Sequence, residues 1–184
     1  MISGHSKRVG FVSCIGIMLI MFCGCTSSAW RVKLDSELPV LGHRNWIVVA
    51  DSAYPRQSAS GIETIYTDAG QIEVLEAVLK GVGEAAHVQA IVLIDEEMDC
   101  VTEKDAPGIE AYRRQLKTLL KGKVVKVMPH EQIISKLDAD AKKFNILLLK
   151  TDMVIPYTSV FLQLDCGYWS ADKEKRLRAA IEKK

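Results

Sequence analysis

Short apolar runs alternate with amphipathic helical patterns along most of this 184-residue chain, and that alternation restricts its fold more than any other feature. Apolar runs of this length predict strands, and they occur at 46–50, 62–66, 88–94, 124–127, 144–149 and 160–164. Apolar residues at helical spacing predict helices from residue 71, over 109–120, over 129–137 and after Ser170. The order predicts one α/β domain with helices on both faces of a mixed sheet.

The charge balance excludes one large class of functions. The chain has 24 Lys and Arg against 23 Asp and Glu, for a formal net charge of +1. Nucleic-acid binding needs a basic surplus that neutralises phosphates, so we expect no nucleic-acid partner. The length suits one compact domain and is short for two.

The first 25 residues carry a targeting signal. Lys7 and Arg8 precede a charge-free apolar stretch over 9–22, which is followed by Cys23, the small residue Gly24 and then Cys25. A basic start and an apolar core are typical of an export signal, and a small residue before a cysteine resembles a lipoprotein cleavage site. We therefore predict removal of residues 1–24 and lipidation of Cys25, which would anchor the protein to a membrane.

Two other interpretations of the N-terminal segment remain open. Residues 9–30 hold no charge and are long enough for an uncleaved transmembrane anchor. A signal peptide that is cleaved without lipidation is the third interpretation. All three predict an extracytoplasmic body. The lipoprotein interpretation divides the chain into a signal peptide over 1–24, a short tether over 25–32 and an α/β domain over 33–184.

Only two cysteines, Cys100 and Cys166, lie in the predicted domain. Two cysteines cannot build a disulfide scaffold or supply four zinc ligands. A single disulfide between them remains open, because export would place the domain in an oxidising compartment.

A histidine and a carboxylate flank the first predicted strand. His43 precedes the strand and Asp51 follows it in LGHRNWIVVADSAYP. Eight residues of mostly extended chain place the two near opposite ends of the strand, so a shared site would need neighbouring loops or another subunit. Taken alone, the pair also fits structural roles, with Asp51 in a turn before Pro55 and His43 bonded to a loop carbonyl.

A second pair of polar residues lies nearer the C-terminus. His130 begins a predicted helix in PHEQ, and Tyr157 precedes the last predicted strand in PYTS. Separately, His130 fits a capping or surface position and Tyr157 fits a packed aromatic. Their order along the chain, after His43 and Asp51, makes them candidates for one site.

The ordered segments LGH, VVAD, PHEQ and PYTS resemble the D-ribose pyranase and L-fucose mutarotase family over about residues 38–168. His43, Asp51 and His130 are the strongest matches, and a histidine at position 130 is more similar to ribose-type members than to fucose-type members, where arginine is expected. The resemblance implies a single-domain, three-layer αβα sandwich, a ring-based homo-oligomer with sites between subunits, a monosaccharide substrate and no metal or organic cofactor.

The chemistry of such an isomerase suits these residue types. Exchange between ring forms or anomers of a free aldose removes a proton from the anomeric hydroxyl and delivers one to the ring oxygen, which is general acid–base work. The resemblance implies that His43 is the catalytic proton donor. It also implies that the sugar is bound by Asp51, His130, Tyr157, Thr158 and Ser159.

Two positions depart from the pattern of that family. Ser159 stands where the family has an asparagine, and Lys150 stands where an arginine is expected. Lysine cannot reproduce the bidentate geometry of arginine. The departures favour, as an alternative, a carbohydrate-binding lipoprotein that keeps the fold without catalysis, and a structural envelope protein is the third hypothesis.

Overall fold

The computed structural model describes residue 1 and residues 28–183. Residues 2–27, which hold the predicted signal sequence and the predicted lipidation site Cys25, lie outside the described residues. Across the described residues, no helix is both long and apolar enough to cross a membrane.

Six strands and five α-helices make up the described domain. Every predicted strand is present, and α4 runs to Asp140, beyond its predicted end at residue 137. A short 3-10 turn, Glu96–Asp99, follows β3. The elements in chain order are α1 (Ala29–Glu37), β1 (Trp46–Ala50), β2 (Ile62–Tyr66), α2 (Gln71–Glu84), β3 (Val88–Asp95), α3 (Ile109–Leu119), β4 (Val124–Met128), α4 (His130–Asp140), β5 (Ile146–Lys150), β6 (Val160–Cys166) and α5 (Ala171–Ile181).

One mixed sheet contains all six strands in the order β2-β5-β1-β6-β3-β4. β6 is antiparallel to its neighbours β1 and β3, and the other pairs are parallel. The five strands β1 to β5 therefore end, and β6 begins, on one side of the sheet, which we call the carboxyl end. On the opposite side, the amino end, those five strands begin and β6 ends.

Two hydrophobic cores lie on the two faces of this sheet. The first packs α1, α2 and α3 against one face, and the second packs α4 against the other. Along β1, Ile47 and Val49 face the first core while Trp46, Val48 and Ala50 face the second. A strand covered on both faces reads as a continuous apolar run. The predicted three-layer αβα sandwich is confirmed.

Helix α1 corrects the predicted tether over residues 25–32. The chain is helical from Ala29, and Trp30 and Leu34 are buried in the first core. These two residues and Leu38 recur every four positions, which gives one apolar stripe on a helix. Four charged residues lie between them and conceal the stripe in the sequence.

The two cysteines of the domain lie far apart. Cys166 pairs in register with Val88 at the start of β3, whereas Cys100 follows the 3-10 turn beyond the end of that strand. The eight residues of β3 span roughly 25 Å, and disulfide geometry needs Cα atoms within about 7 Å. Both thiols are free, so a disulfide between them within one chain is excluded.

Candidate functional site

Polar side chains from five separate segments meet at the carboxyl end of the sheet. The parallel strands all end there, and in an open α/β sheet this is the side on which ligands bind. β6 runs the other way, so the residues before it reach the same place. The polar residues carried by these segments are Asp51, Asp95, His130, Thr151 and Ser159.

Asp51 and Ser159 form a reciprocal pair. The Ser159 hydroxyl donates to Asp51 Oδ2 at 2.8 Å and accepts from the Asp51 backbone N–H at 3.1 Å. The other carboxylate oxygen, Oδ1, accepts from the Ala53 backbone N–H at 2.9 Å. Ser159 is buried and Asp51 is partly exposed. Ser159 therefore orients the carboxylate, which is the member of the pair that faces solvent.

A buried network supports the segment that precedes β6. Thr158 is fully buried, and its carbonyl oxygen accepts from Gln71 Nε2 at 2.8 Å and from the Tyr112 hydroxyl at 2.6 Å. The Thr158 hydroxyl donates to the Ile155 carbonyl at 2.7 Å. Burial raises the pKa of Tyr112, so its hydroxyl stays protonated and donates. Thr158 thus lies beneath the predicted site and holds its neighbours in place.

His130 is held by two carboxylates. Its ring Nδ1 lies 3.0 Å from Asp95 Oδ2. Its backbone N–H donates to both carboxylate oxygens of Glu97, at 3.1 and 2.9 Å. Because His130 is the first residue of α4, a carboxylate at this position also complements the helix dipole. The ring is consequently fixed in place while 30% of its side-chain surface stays exposed.

Asp95 is a buried carboxylate at the end of β3. Its side chain is 0% exposed, and its Oδ1 atom has no hydrogen-bond partner among the described residues. Burial raises the pKa of Asp95 to about 6. The charge of His130 and its hydrogen bond to Asp95 act in the opposite direction and lower that pKa. The nearby carboxylates Glu97 and Asp51 raise it further.

Tyr157 completes the group at the carboxyl end. Its backbone has a φ of +57°, a left-handed conformation that is uncommon for a bulky residue. The ring meets the His130 ring edge-on, with 5.7 Å between centroids, and 39% of the residue is exposed. Such backbone conformations persist where the surrounding structure holds them, and they cluster at functional sites.

His43 lies at the amino end of the sheet, away from the other candidates. Its Nδ1 atom is 2.7 Å from Asp165 Oδ1, and 54% of its side chain is exposed. A cleft of about 480 Å³ lies beside this pair, with Tyr168 and Trp169 among its lining residues. The five residues of β1 separate His43 from Asp51 by roughly 15 Å. Within one chain the structure therefore joins Asp51, His130, Tyr157 and Ser159 but leaves His43 apart.

Lys150, one of the two departures from the family pattern, has a structural partner. Its ammonium group donates to the Tyr54 carbonyl at 2.7 Å. This bond ties the loop after β1 to the end of β5. Lys150 therefore stabilises the loop that carries Asp51.

Two carboxylates that contact the candidate histidines were missed by the sequence analysis. Asp95 stands 35 residues from His130, and Asp165 stands 122 residues from His43. Asp95 is the first residue of the acidic run DEEMD, which reads as a solvated strand end. The sequence feature that could have identified Asp95 is its position directly after the apolar run AIVLI, at the carboxyl end of a predicted strand.

No group of three or more His, Cys, Asp or Glu side chains in the described part of the chain is placed to hold a metal ion. The ring of each candidate histidine instead contacts a single carboxylate. Such pairs can orient an imidazole for hydrogen bonding or proton transfer.

Comparison with known proteins finds a family that matches this chain. The profile of the RbsD / FucU transport protein family matches residues 31–166. RbsD of Bacillus subtilis, solved in complex with D-ribose, shares 18% identity and a TM-score of 0.51, over 90% of this chain and 100% of its own. FucU from Bifidobacterium longum shares 18% identity and a TM-score of 0.50, over 72% of this chain and 92% of its own. No curated protein sequence gives a significant match.

Proposed function

Because the chain belongs to the RbsD/FucU family, we propose that it is an isomerase that interconverts ring forms or anomers of a free monosaccharide. The observation that carries the proposal is the convergence of Asp51, His130 and Tyr157 at the carboxyl end of the sheet. The ribose complex of the Bacillus subtilis relative and the histidine at position 130 favour a ribose-like aldose as the substrate.

The reaction needs only proton transfers. A base removes the proton of the anomeric hydroxyl, the bond between C1 and the ring oxygen breaks, and an acid protonates that oxygen. The open-chain aldehyde then rotates about its C1–C2 bond. The same hydroxyl recloses the ring to give the other anomer, or a different hydroxyl closes it to give a ring of another size. General acid–base catalysis by groups with a pKa near the working pH suits both steps.

The described residues divide these tasks between the two ends of the sheet. At the amino end, the exposed ring of His43 donates the proton to the ring oxygen. At the carboxyl end, Asp51 accepts hydrogen bonds from sugar hydroxyls, and His130 and Tyr157 make further contacts. Ser159 orients Asp51 and Thr158 supports the segment from below. The predicted direct contacts of Thr158 and Ser159 with sugar therefore become supporting roles in this proposal.

A complete site requires two copies of the chain in this proposal. β1 separates His43 from Asp51 within one chain. A homo-oligomer that places the amino end of one copy against the carboxyl end of another would bring the two together. The exposure of His43, at 54% of its side chain, leaves it free to make that contact.

The test is the rate of ring-form exchange measured by NMR saturation transfer. We expect the protein to accelerate exchange between pyranose and furanose, or between anomers, for at least one sugar of a panel that includes ribose and fucose. His43→Ala should return that exchange to the uncatalysed rate, because the substitution removes the proton donor. Lys80→Ala is the control, since Lys80 lies exposed on α2 with 76% of its side chain in solvent. Equal catalysis by His43→Ala and the unaltered protein would contradict the role of His43.

A carbohydrate-binding protein without catalysis is the second candidate function. It is favoured by the burial of Ser159 and by the bond of Lys150 to the Tyr54 carbonyl, since both departures from the family pattern are occupied within the chain. This alternative predicts saturable sugar binding by calorimetry with no acceleration of exchange. Acceleration of exchange for any sugar would exclude it.

A further inference from the structure

The buried carboxylate of Asp95 has no task in the function proposed above. We propose that Asp95 is a positioning residue that holds His130 as a second proton-transfer group, which acts together with His43 on the same sugar. The inference rests on the proposed isomerase function and deepens it, because it changes His130 from a sugar-binding residue into a participant in the reaction.

The geometry at His130 sets the position of its ring proton. An ionised carboxylate can only accept hydrogen bonds, so the contact with Asp95 Oδ2 at 3.0 Å places the imidazole proton on Nδ1. The Nε2 atom of the neutral ring then carries the free lone pair. Glu97 fixes the backbone N–H and the Tyr157 ring packs edge-on, so the imidazole is held from three directions.

The three carboxylates near His130 have different partners. Asp51 is engaged by Ser159 and by the Ala53 backbone, and Glu97 caps the backbone of α4. The Asp95 carboxylate bonds the His130 ring, and within residues 28–183 that is the one hydrogen bond of this side chain. A fully buried carboxylate with a single partner costs stability. A feature that costs stability without serving the fold is expected where function needs it.

The second histidine of the proposed site has the same arrangement. His43 Nδ1 lies 2.7 Å from Asp165 Oδ1, which leaves its Nε2 atom for the substrate. In the proposed reaction, neutral His130 takes the proton of the anomeric hydroxyl at Nε2 while protonated His43 gives a proton from Nε2 to the ring oxygen. The bond between C1 and the ring oxygen breaks as the carbonyl forms, and reclosure returns both protons. The two histidines thus exchange protonation states and recover them within one turnover.

The test combines tautomer and rate measurements on the full-length protein in detergent. Selective 15N labelling of its four histidines reports which ring nitrogen of His130 carries the proton, and His130→Gln identifies the signal. We expect the proton on Nδ1 in the unaltered protein. In Asp95→Asn, whose side-chain amide can donate to Nδ1, we expect a substantial fraction with the proton on Nε2.

The rates separate a positioning role from a general structural one. Asp95→Asn should lower kcat at least roughly tenfold and change KM by no more than about twofold, because sugar contacts remain while proton transfer is misaligned. In the His130→Gln background the same substitution should cause no further loss. Asp99→Asn is the control, since it removes an exposed carboxylate four positions after Asp95, at the end of the 3-10 turn that follows β3.

Three results would overturn the inference. They are a proton on Nε2 of His130 in the unaltered protein, an unchanged kcat in Asp95→Asn, and losses that add in the double variant. The first needs no substitution at Asp95, so it decides the question even if Asp95→Asn fails to fold. If the unaltered protein exchanges no sugar, the proposed function fails, whereas the tautomer still shows whether Asp95 positions the His130 ring.

Discussion

Asp95 links the chemistry of the site to the stability of the fold. Its carboxyl group is buried beside His130, with Glu97 and Asp51 also near. Burial raises the pKa of Asp95 from 3.8 to about 6, which means that the folded chain favours the neutral acid more than the unfolded chain does. The ionised form that orients His130 is therefore maintained at the expense of stability.

The stability of the protein should fall with rising pH because of Asp95. Between about pH 4 and pH 6 the folded state binds more protons at this carboxyl than the unfolded state, so the free energy of unfolding decreases as pH increases. Asp95→Asn should remove that contribution and flatten the profile. Urea denaturation of both proteins across this pH range measures the difference, and parallel profiles would contradict a raised pKa for Asp95.

Helices α1 and α5 lie at opposite ends of the described domain and differ in their packing. α1 inserts Trp30 and Leu34 into the first core, whereas α5 has no buried residue. The family match covers residues 31–166, so it includes most of α1 and ends before α5. Tertiary packing rather than helix propensity supplies most helix stability in proteins, so the two helices should contribute very unequally.

Alanine substitutions in the two helices should show this difference. Trp30→Ala should lower the free energy of unfolding by about 3–5 kcal/mol, because it leaves a cavity in the first core. Leu177→Ala, at a residue that is 42% exposed in α5, should change it by no more than about 0.5 kcal/mol. Denaturant unfolding of both variants provides the comparison, and equal losses would contradict the assignment of α1 to the core.

The strands were predictable because their apolar runs are continuous, as in WIVVA of β1. α1 was missed because charged residues separate Trp30 from Leu34 and hide a narrow stripe. Within the candidate site, the order of short motifs selected Asp51 and His130 as candidates. Contacts such as His130 with Asp95 could not be predicted, since they join segments that meet only when strands distant in the sequence become neighbours in the sheet.

At the scale of the whole molecule, the candidate residues occupy two ends of one sheet. The Asp51 and His130 group lies at the carboxyl end, and the His43–Asp165 pair lies at the amino end. The direction of β1 dictates this separation, because one residue precedes the strand and the other follows it. In our account the assembly of copies therefore creates the site, and the single chain supplies its two halves.

Complementation between two inactive variants tests this central claim most directly. His43→Ala and Asp51→Ala should each lose ring-form exchange alone, since each removes one half of every site. Co-assembled in equal amounts, they should recover about a quarter of the unaltered rate, because random mixing draws both intact residues into one site in four. NMR saturation transfer on the mixed oligomer measures that rate. A mixed oligomer as inactive as its parents would contradict a site shared between copies.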